Sequence, residues 1–236
     1  MEPMRRTVWG MLAALFLLGA TGCAVTVEDR GYVAPPPLPP MEQLEQAALV
    51  DPEDYSGGAD GVVSFITEDR TVACSLTAAR GPHINLPYEQ NSFSDSENNK
   101  LAIVPVAYCE LARYPKPQTE DVADDCAATN LGYLGGVALL TPDAATYGEC
   151  RSGVTQMEAA YGPRGSKAGP LAQLTVLADG KILERNGLRC SAYNGGVACG
   201  NVSAGVGFFV SPDHYELIAG PAASPPAATA GASKTP

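Results

Sequence analysis

Two cysteines nine positions apart, Cys190 and Cys199, flank an Asn-Gly-Gly run in "LRCSAYNGGVACGN", residues 188–201. No other feature restricts the fold of this chain as much. Asn-Gly is a preferred pair for a two-residue type I′ hairpin, because both central positions require positive φ and these residues tolerate it. With Asn194 and Gly195 as the loop, Tyr193 faces Gly196, Ala192 faces Val197, Ser191 faces Ala198, and Cys190 faces Cys199. Hydrogen-bonded and non-hydrogen-bonded pairs alternate outward from the turn, and the cysteines fall on a non-hydrogen-bonded pair. Their Cα atoms then lie about 4.5 Å apart, within the roughly 4.4–6.8 Å that a disulfide bridges. The register predicts a cross-strand disulfide. A loop at Gly195-Gly196 would shift the register and remove the opposition, leaving two strand thiols or a metal-binding pair.

The start of the chain bears on the compartment. "MEPMRRTVWGMLAALFLLGATGC" places Arg5 and Arg6 before an apolar run through Leu18, followed by small residues. That order predicts a bacterial lipoprotein signal peptide over 1–22, with a run too short for a spanning helix. Ala20-Thr21-Gly22-Cys23 resembles a lipobox, which makes Cys23 the lipidated mature N-terminus. Leu is commoner than Ala at the position of Ala20. Seven cysteines are an awkward number for an oxidising compartment. With Cys23 given to lipid, Cys74, Cys109, Cys126, Cys150, Cys190 and Cys199 remain, an even set that can pair completely. No C-x-x-C is present, which argues against a thioredoxin-like or zinc-ribbon site.

The formal net charge is −11. Loss of the leader removes Glu2, Arg5 and Arg6 and brings it to −12. Such a chain has no electrostatic footprint for nucleic acid or for an anionic bilayer, so its only membrane contact is the Cys23 anchor. Residues 23–60, with "APPPLPPMEQ" and "DPEDYSGGADG", read as a lipid-anchored, Pro-rich linker. Within it, 41–50 has the makings of a short helix that is marginal in isolation. The tail 219–236, rich in Ala, Pro and Gly, cannot bury enough surface to order itself. The folded domain is expected over 61–218.

Its pattern is β. "GVVSFITEDRTVACSL" reads as two strands around Glu68-Asp69. "LAIVPVAYCELARY", "LGYLGGVALL", "LTVLADGKILERNGLRCSAY", "GVACGN" and "GVGFFVSPDHYELI" continue in kind. Turn signals recur at Asp179-Gly180, Asn186-Gly187, Asn194-Gly195 and Ser211-Pro212-Asp213. The segment 155–162, "TQMEAAYG", is the best internal helix. The expected class is all-β, with disulfide-stapled antiparallel hairpins forming a small sandwich or barrel-like domain.

The order of cysteine-bearing strands resembles that of a group of actinobacterial exported proteins. In that group a strand of pattern F-x-[ST]-P-S-G-N-I-x-C precedes a V-x-C-[DE] strand, a D-C and a later strand cysteine. The end reads C-x5-G-V-x-C-x-N, then G-H-G-F-x-x-S and a Tyr. The match runs over 62–218 and is strongest in 187–217, through Cys190, Gly196, Val197, Cys199, Asn201, Phe208 and Ser211. Glu68-Asp69-Arg70 replaces the Ser-Gly-Asn turn, the loop 80–100 is longer, and Val206 stands where the group has His. The resemblance implies fold and location and carries no activity. It also favours the sequential pairs Cys74–Cys109 and Cys126–Cys150 beside Cys190–Cys199, each closing a local unit. Six cysteines allow fifteen connectivities, and spacing does not choose among them.

Catalytic signals are sparse. The histidines are His83 and His214. Ser211, Asp213 and His214 share one turn around Pro212 with no G-x-S-x-G elbow, and read as a solvated turn. The acidic runs 94–99 ("SDSENN") and 119–125 ("TEDVADD") lack the spacing of a calcium loop, and no metal site is assigned. There is no phosphate loop or Rossmann fingerprint, and no cofactor is implied. In a strand, Phe208 and Phe209 point to opposite faces, which gives either burial on both faces or an exposed binding aromatic. The reading is a non-enzymatic envelope lipoprotein on the outer face of the bacterial cell membrane, a binding or structural module that presents a surface to an envelope protein or component. The alternatives are a secreted form, and an exported hydrolase or ligand carrier with a site assembled from scattered acidic residues.

Overall fold

The computed structural model describes residues 36–56, 61–80 and 100–220. Cys23 with the rest of residues 1–35, His83, the run 94–99 and nearly all of the Ala/Pro-rich tail lie outside the described residues. Among the described residues eleven strands fall into two sheets. One sheet is a five-stranded antiparallel meander of β2 (Val63–Ile66), β3 (Val72–Arg80), β4 (Ile103–Leu111), β5 (Gly132–Leu140) and β6 (Ala145–Arg151). The other holds a second antiparallel meander of β7 (Lys181–Arg185), β8 (Leu188–Tyr193), β9 (Gly196–Asn201), β10 (Val206–Val210) and β11 (Tyr215–Ile218). The short strand β1 (Ala48–Leu49) pairs parallel with β7 at its edge. Two separate sheets make the domain a sandwich rather than a barrel.

The two-residue side-chain period builds the core. Val72, Cys74 and Leu76 on β3, and Ala107, Cys109 and Leu111 on β4, share one cluster with Cys190, Ala192, Val197, Cys199, Phe208 and Val210 of the opposite sheet. The hairpin turns follow the residues that permit them. Asn194 (φ 52°) and Gly195 (φ 70°) join β8 to β9, and Asn186 (φ 53°) and Gly187 (φ 81°) join β7 to β8. The resulting register pairs Tyr193 with Gly196 and Cys190 with Cys199, as the Asn-Gly turn requires.

All three sequential disulfides are present. Cys190–Cys199 and Cys74–Cys109 each staple directly opposed residues of neighbouring strands, with Cα atoms 4.1 Å apart in both. Cys126–Cys150 spans 5.5 Å and ties the loop after β4 to β6. In the chain-entropy model each contributes about 2–4 kcal/mol.

The domain begins earlier than residue 61, which corrects the assignment of all of 23–60 to a linker. Helix α1 (Pro40–Gln46) lies on the outer face of the second sheet. There Leu44 is fully buried among Tyr193, Ala198 and Phe209, with Met41 and Val202 alongside. Gly200 makes the approach possible: a Cβ there would stand 2.9 Å from Leu44 Cδ1. Arg189 Nη1 donates to the Leu44 carbonyl at 3.2 Å, satisfying an acceptor near the helix end. Tyr55, in the turn 52–55, is also buried. A seven-residue helix has little stability of its own, and tertiary burial of one face supplies it.

The same contact decides the Phe208-Phe209 question. Phe208 is in the core, and Phe209, on the other face, is covered by α1 and packs edge-on against Tyr193 with ring centroids 5.4 Å apart. Neither is an exposed binding aromatic. Leu44→Ala should therefore cost about 2–5 kcal/mol in urea denaturation and render 40–56 sensitive to protease in the otherwise folded domain. A loss below about 0.5 kcal/mol, in the range of ordinary surface substitutions, would show that α1 does not belong to the folded unit.

Candidate functional site

Two places concentrate chemically capable side chains: the sulfur cluster at the centre of the sandwich and a polar network at one end of the first sheet. In the core the two cross-strand disulfides face each other. Cys109 Sγ lies 3.7 Å from Cys199 Sγ, a van der Waals contact between sulfurs of opposite sheets. Cys74, Cys109 and Cys199 present sulfur atoms all within 4.8 Å of one another. All four cysteines are buried. Bonded as disulfides, these atoms have no thiolate to offer a metal.

The polar network is built where β5 bulges. The β5–β6 register shifts between Leu134 and Ala138, and Gly136 there has φ 87°. A Cβ on Gly136 would come within 2.4 Å of the Tyr114 ring, so the glycine is what lets Tyr114 lie against the strand. Arg151, at the end of β6, reaches under this bulge. Its Nη2 donates to the Gly135 carbonyl at 2.7 Å and to the Tyr114 hydroxyl at 3.1 Å, and pairs with Glu158 Oε2 at 2.9 Å. Its Nη1 donates to the Gly153 carbonyl. Its Nε lies 3.2 Å from Glu149 Oε1, an ion-pair contact without hydrogen-bond geometry. Tyr114 donates to Glu158 Oε1 at 2.7 Å.

Glu158 belongs to helix α2 (Gln156–Tyr161), where it and Thr155 form a reciprocal capping box. Beneath the helix, Glu110 Oε2 on the outer face of β4 accepts the Met157 N–H at 2.9 Å. Met157, Leu171, Ile66, Ala73 and Ala112 form the apolar floor that holds α2 on the sheet. Burial pushes the Glu110 carboxyl above its ordinary range, against the opposing pull of the Met157 and Gln156 N–H groups, Thr155 and Arg151. Glu149 is raised by burial as well, with Arg151 pulling down and Glu110, Asp124 and Glu158 pushing up. Every member of this network is partnered, and its work is to fasten α2 and the 114–117 segment to the sheet end.

A tyrosine pair closes the sandwich beside it. Tyr147 of β6 stacks on Tyr215 of β11 with centroids 3.9 Å apart. Tyr147 donates to the Pro115 carbonyl at 2.9 Å. Tyr215 donates to Asp121 Oδ2 at 2.6 Å and accepts the Gln118 N–H at 2.9 Å. One carboxylate of the acidic run 119–125 thus serves inter-sheet packing. Asp125, another, accepts from the Ala127 N–H and from Tyr133.

The Ser211–His214 stretch is a turn joining β10 to β11. The Ser211 hydroxyl accepts the His214 N–H at 3.0 Å and donates to the His214 carbonyl, a local backbone cap rather than a nucleophile held by an imidazole. Among the described residues two shallow clefts stand out. One of about 210 Å³ lies between α2 and the 170–173 turn, lined by Gln156, Ala159, Ser166 and Leu171. The other, of about 230 Å³, lies at the hairpin end between Thr67, Glu68, Asp69, Asp179 and Gly195. Both fall below the roughly 300–1,000 Å³ of small-molecule pockets. Asp179 is raised by burial and by Glu68 and Asp69, while Asp69 already accepts from Thr67 and Thr71.

Sequence reading identified the cysteines and the turn, and missed the network of Glu110, Tyr114, Glu149, Arg151 and Glu158. Its one legible signal was the Thr-x-x-Glu box at 155–158; the other members come together only through the bulge. No helix among the described residues is long and apolar enough to cross a membrane. No protein-family model, curated protein or solved structure matches the chain.

The raised Glu110 carboxyl gives a signed pH effect. Its contribution to stability is complete below the unfolded value near 4.5 and is lost as pH rises through the elevated folded value. The stability of the wild type relative to Glu110→Gln should therefore fall as pH rises above about 4.5 and level off once the elevated folded value is passed. Urea titrations at a series of pH values measure this, and a difference that grows with pH would contradict it.

Proposed function

We propose that this chain is a non-enzymatic cell-envelope lipoprotein. Its disulfide-stapled sandwich is held outside the cytoplasmic membrane by a lipid on Cys23, where it binds an envelope protein or component. The observation that carries the reading is the complete pairing of the six domain cysteines. Three disulfides in one domain point to an extracytoplasmic protein, because thiol-reducing systems keep cytosolic cysteines apart. Pairing of those six leaves Cys23 as the seventh, at the cysteine position of Ala20-Thr21-Gly22-Cys23. The resemblance to actinobacterial exported proteins agrees with this placement.

The shape of the domain supports a binding or structural role. Among the described residues its polar clusters are spent on fastening helices and loops to sheets, and the two clefts described above are shallow. A partner would meet a broad surface rather than enter a cavity. The acidic balance keeps the domain off an anionic lipid surface while the anchor holds it near.

Cys23 is the direct test. In a bacterial host that processes lipoproteins, the wild type should fractionate with membranes and its N-terminal peptide should carry a diacylglyceryl mass. Cys23→Ala should abolish both and leave the domain disulfides intact. A wild-type protein recovered soluble and unmodified at Cys23 would overturn the anchor.

A further inference from the structure

We infer that the two core disulfides form an exchange pair, and that opening either native bond allows transfer into an inter-sheet Cys109–Cys199 disulfide. The juxtaposition that carries this is the 3.7 Å contact between Cys109 Sγ and Cys199 Sγ, sulfurs that belong to different disulfides and different sheets. Thiol–disulfide exchange needs a thiolate within reach of a disulfide sulfur. Here the reacting atoms are already in contact, and the strands that carry Cys109 and Cys190, β4 and β8, approach within 8 Å at Cα. Ala107, Ala138 and Ala192, all with short side chains, border the sulfurs in the same core cluster.

The chemistry balances without net oxidation. When Cys199 is free as a thiolate, it attacks Cys109 Sγ. The Cys109–Cys199 bond forms, the Cys74–Cys109 bond breaks, and Cys74 leaves as a thiolate that takes up the proton Cys199 gave up. When Cys109 is the free thiolate, the mirror reaction expels Cys190. In the wild type, a dithiol supplies the first opening and is itself oxidised to a disulfide. The exchange replaces a staple within one sheet by a cross-link 90 residues long that joins the two sheets, and so keeps one covalent bond at the centre of the core.

Two single variants test this, each of which retains two of the three native disulfides at the outset. Folded monomers of Cys190→Ser and Cys74→Ser are held at pH 8, denatured in maleimide at mildly acidic pH to trap thiols, and peptide-mapped without reduction. Exchange predicts a Cys109–Cys199 cross-linked peptide in both. In Cys190→Ser the maleimide appears on Cys74 as well as Cys199, and in Cys74→Ser on Cys190 as well as Cys109. The exchanged share should rise as the pre-incubation pH rises. Label confined to Cys199 in the first variant and to Cys109 in the second would overturn the proposal. If neither variant yields a folded monomer, the wild type is opened with a dithiol in partial denaturant and mapped in the same way. Cys109–Cys199 among the partly reduced species supports exchange, and native pairs alone overturn it.

Discussion

At the middle of the sandwich the inward positions of β3, β4, β8 and β9 are filled by sulfur, and the rest of the packing is arranged around that contact. Each sheet joins two of its inner strands with a disulfide, and the two disulfides touch at Cys109 and Cys199. A slip of one residue in either pairing would turn a cysteine to the outer face and separate it from its partner, so covalent bond and hydrophobic alternation specify the same register. At Cys190–Cys199 the type I′ turn specifies it a third time. Leu76, Leu111, Leu183, Phe65 and Phe208 then fill the layers around the sulfurs.

A sheet buried on its inner face still has to manage its outer one, and the chain does so with its few helices. Helix α1 covers Tyr193 and Phe209 on one side, and α2 with the 170–173 turn covers Ile66 and Ala73 on the other. Both helices are too short to persist alone. They are held by polar devices as well as by apolar contact. Arg189 donates to the Leu44 carbonyl under α1. Glu110 accepts the Met157 N–H under α2, with Arg151 gripping Glu158 from the side. The carboxylates of Glu110 and Glu158 thus act as fasteners of α2 on the sheet.

How much of this was legible follows the distance over which each signal acts. The Cys190–Cys199 staple was readable because a two-residue turn fixes register locally, and the short helix within 155–162 was readable from its own residues. The all-β class followed from many short strands at close spacing, which left sandwich and barrel open. The docking of α1 was not readable: Pro-rich sequence around 35–40 obscured it, and the reason Leu44 is buried is the absence of a side chain at Gly200, far along the chain. Arg151 and its partners come together through a bulge that two glycines permit, and no spacing announces it. The sulfur contact between sheets depends on how two separately specified hairpins face each other, a property of neither alone.

Complete and sequential pairing of the six domain cysteines is the claim on which placement, stability and function all rest. Mapping of disulfide-linked peptides from the exported wild-type protein, digested at acidic pH without reduction, tests it most directly. The expected peptides join Cys74 to Cys109, Cys126 to Cys150 and Cys190 to Cys199, with no alkylatable thiol in the domain. A free thiol among the six, or a native bond joining cysteines from different pairs, would contradict it.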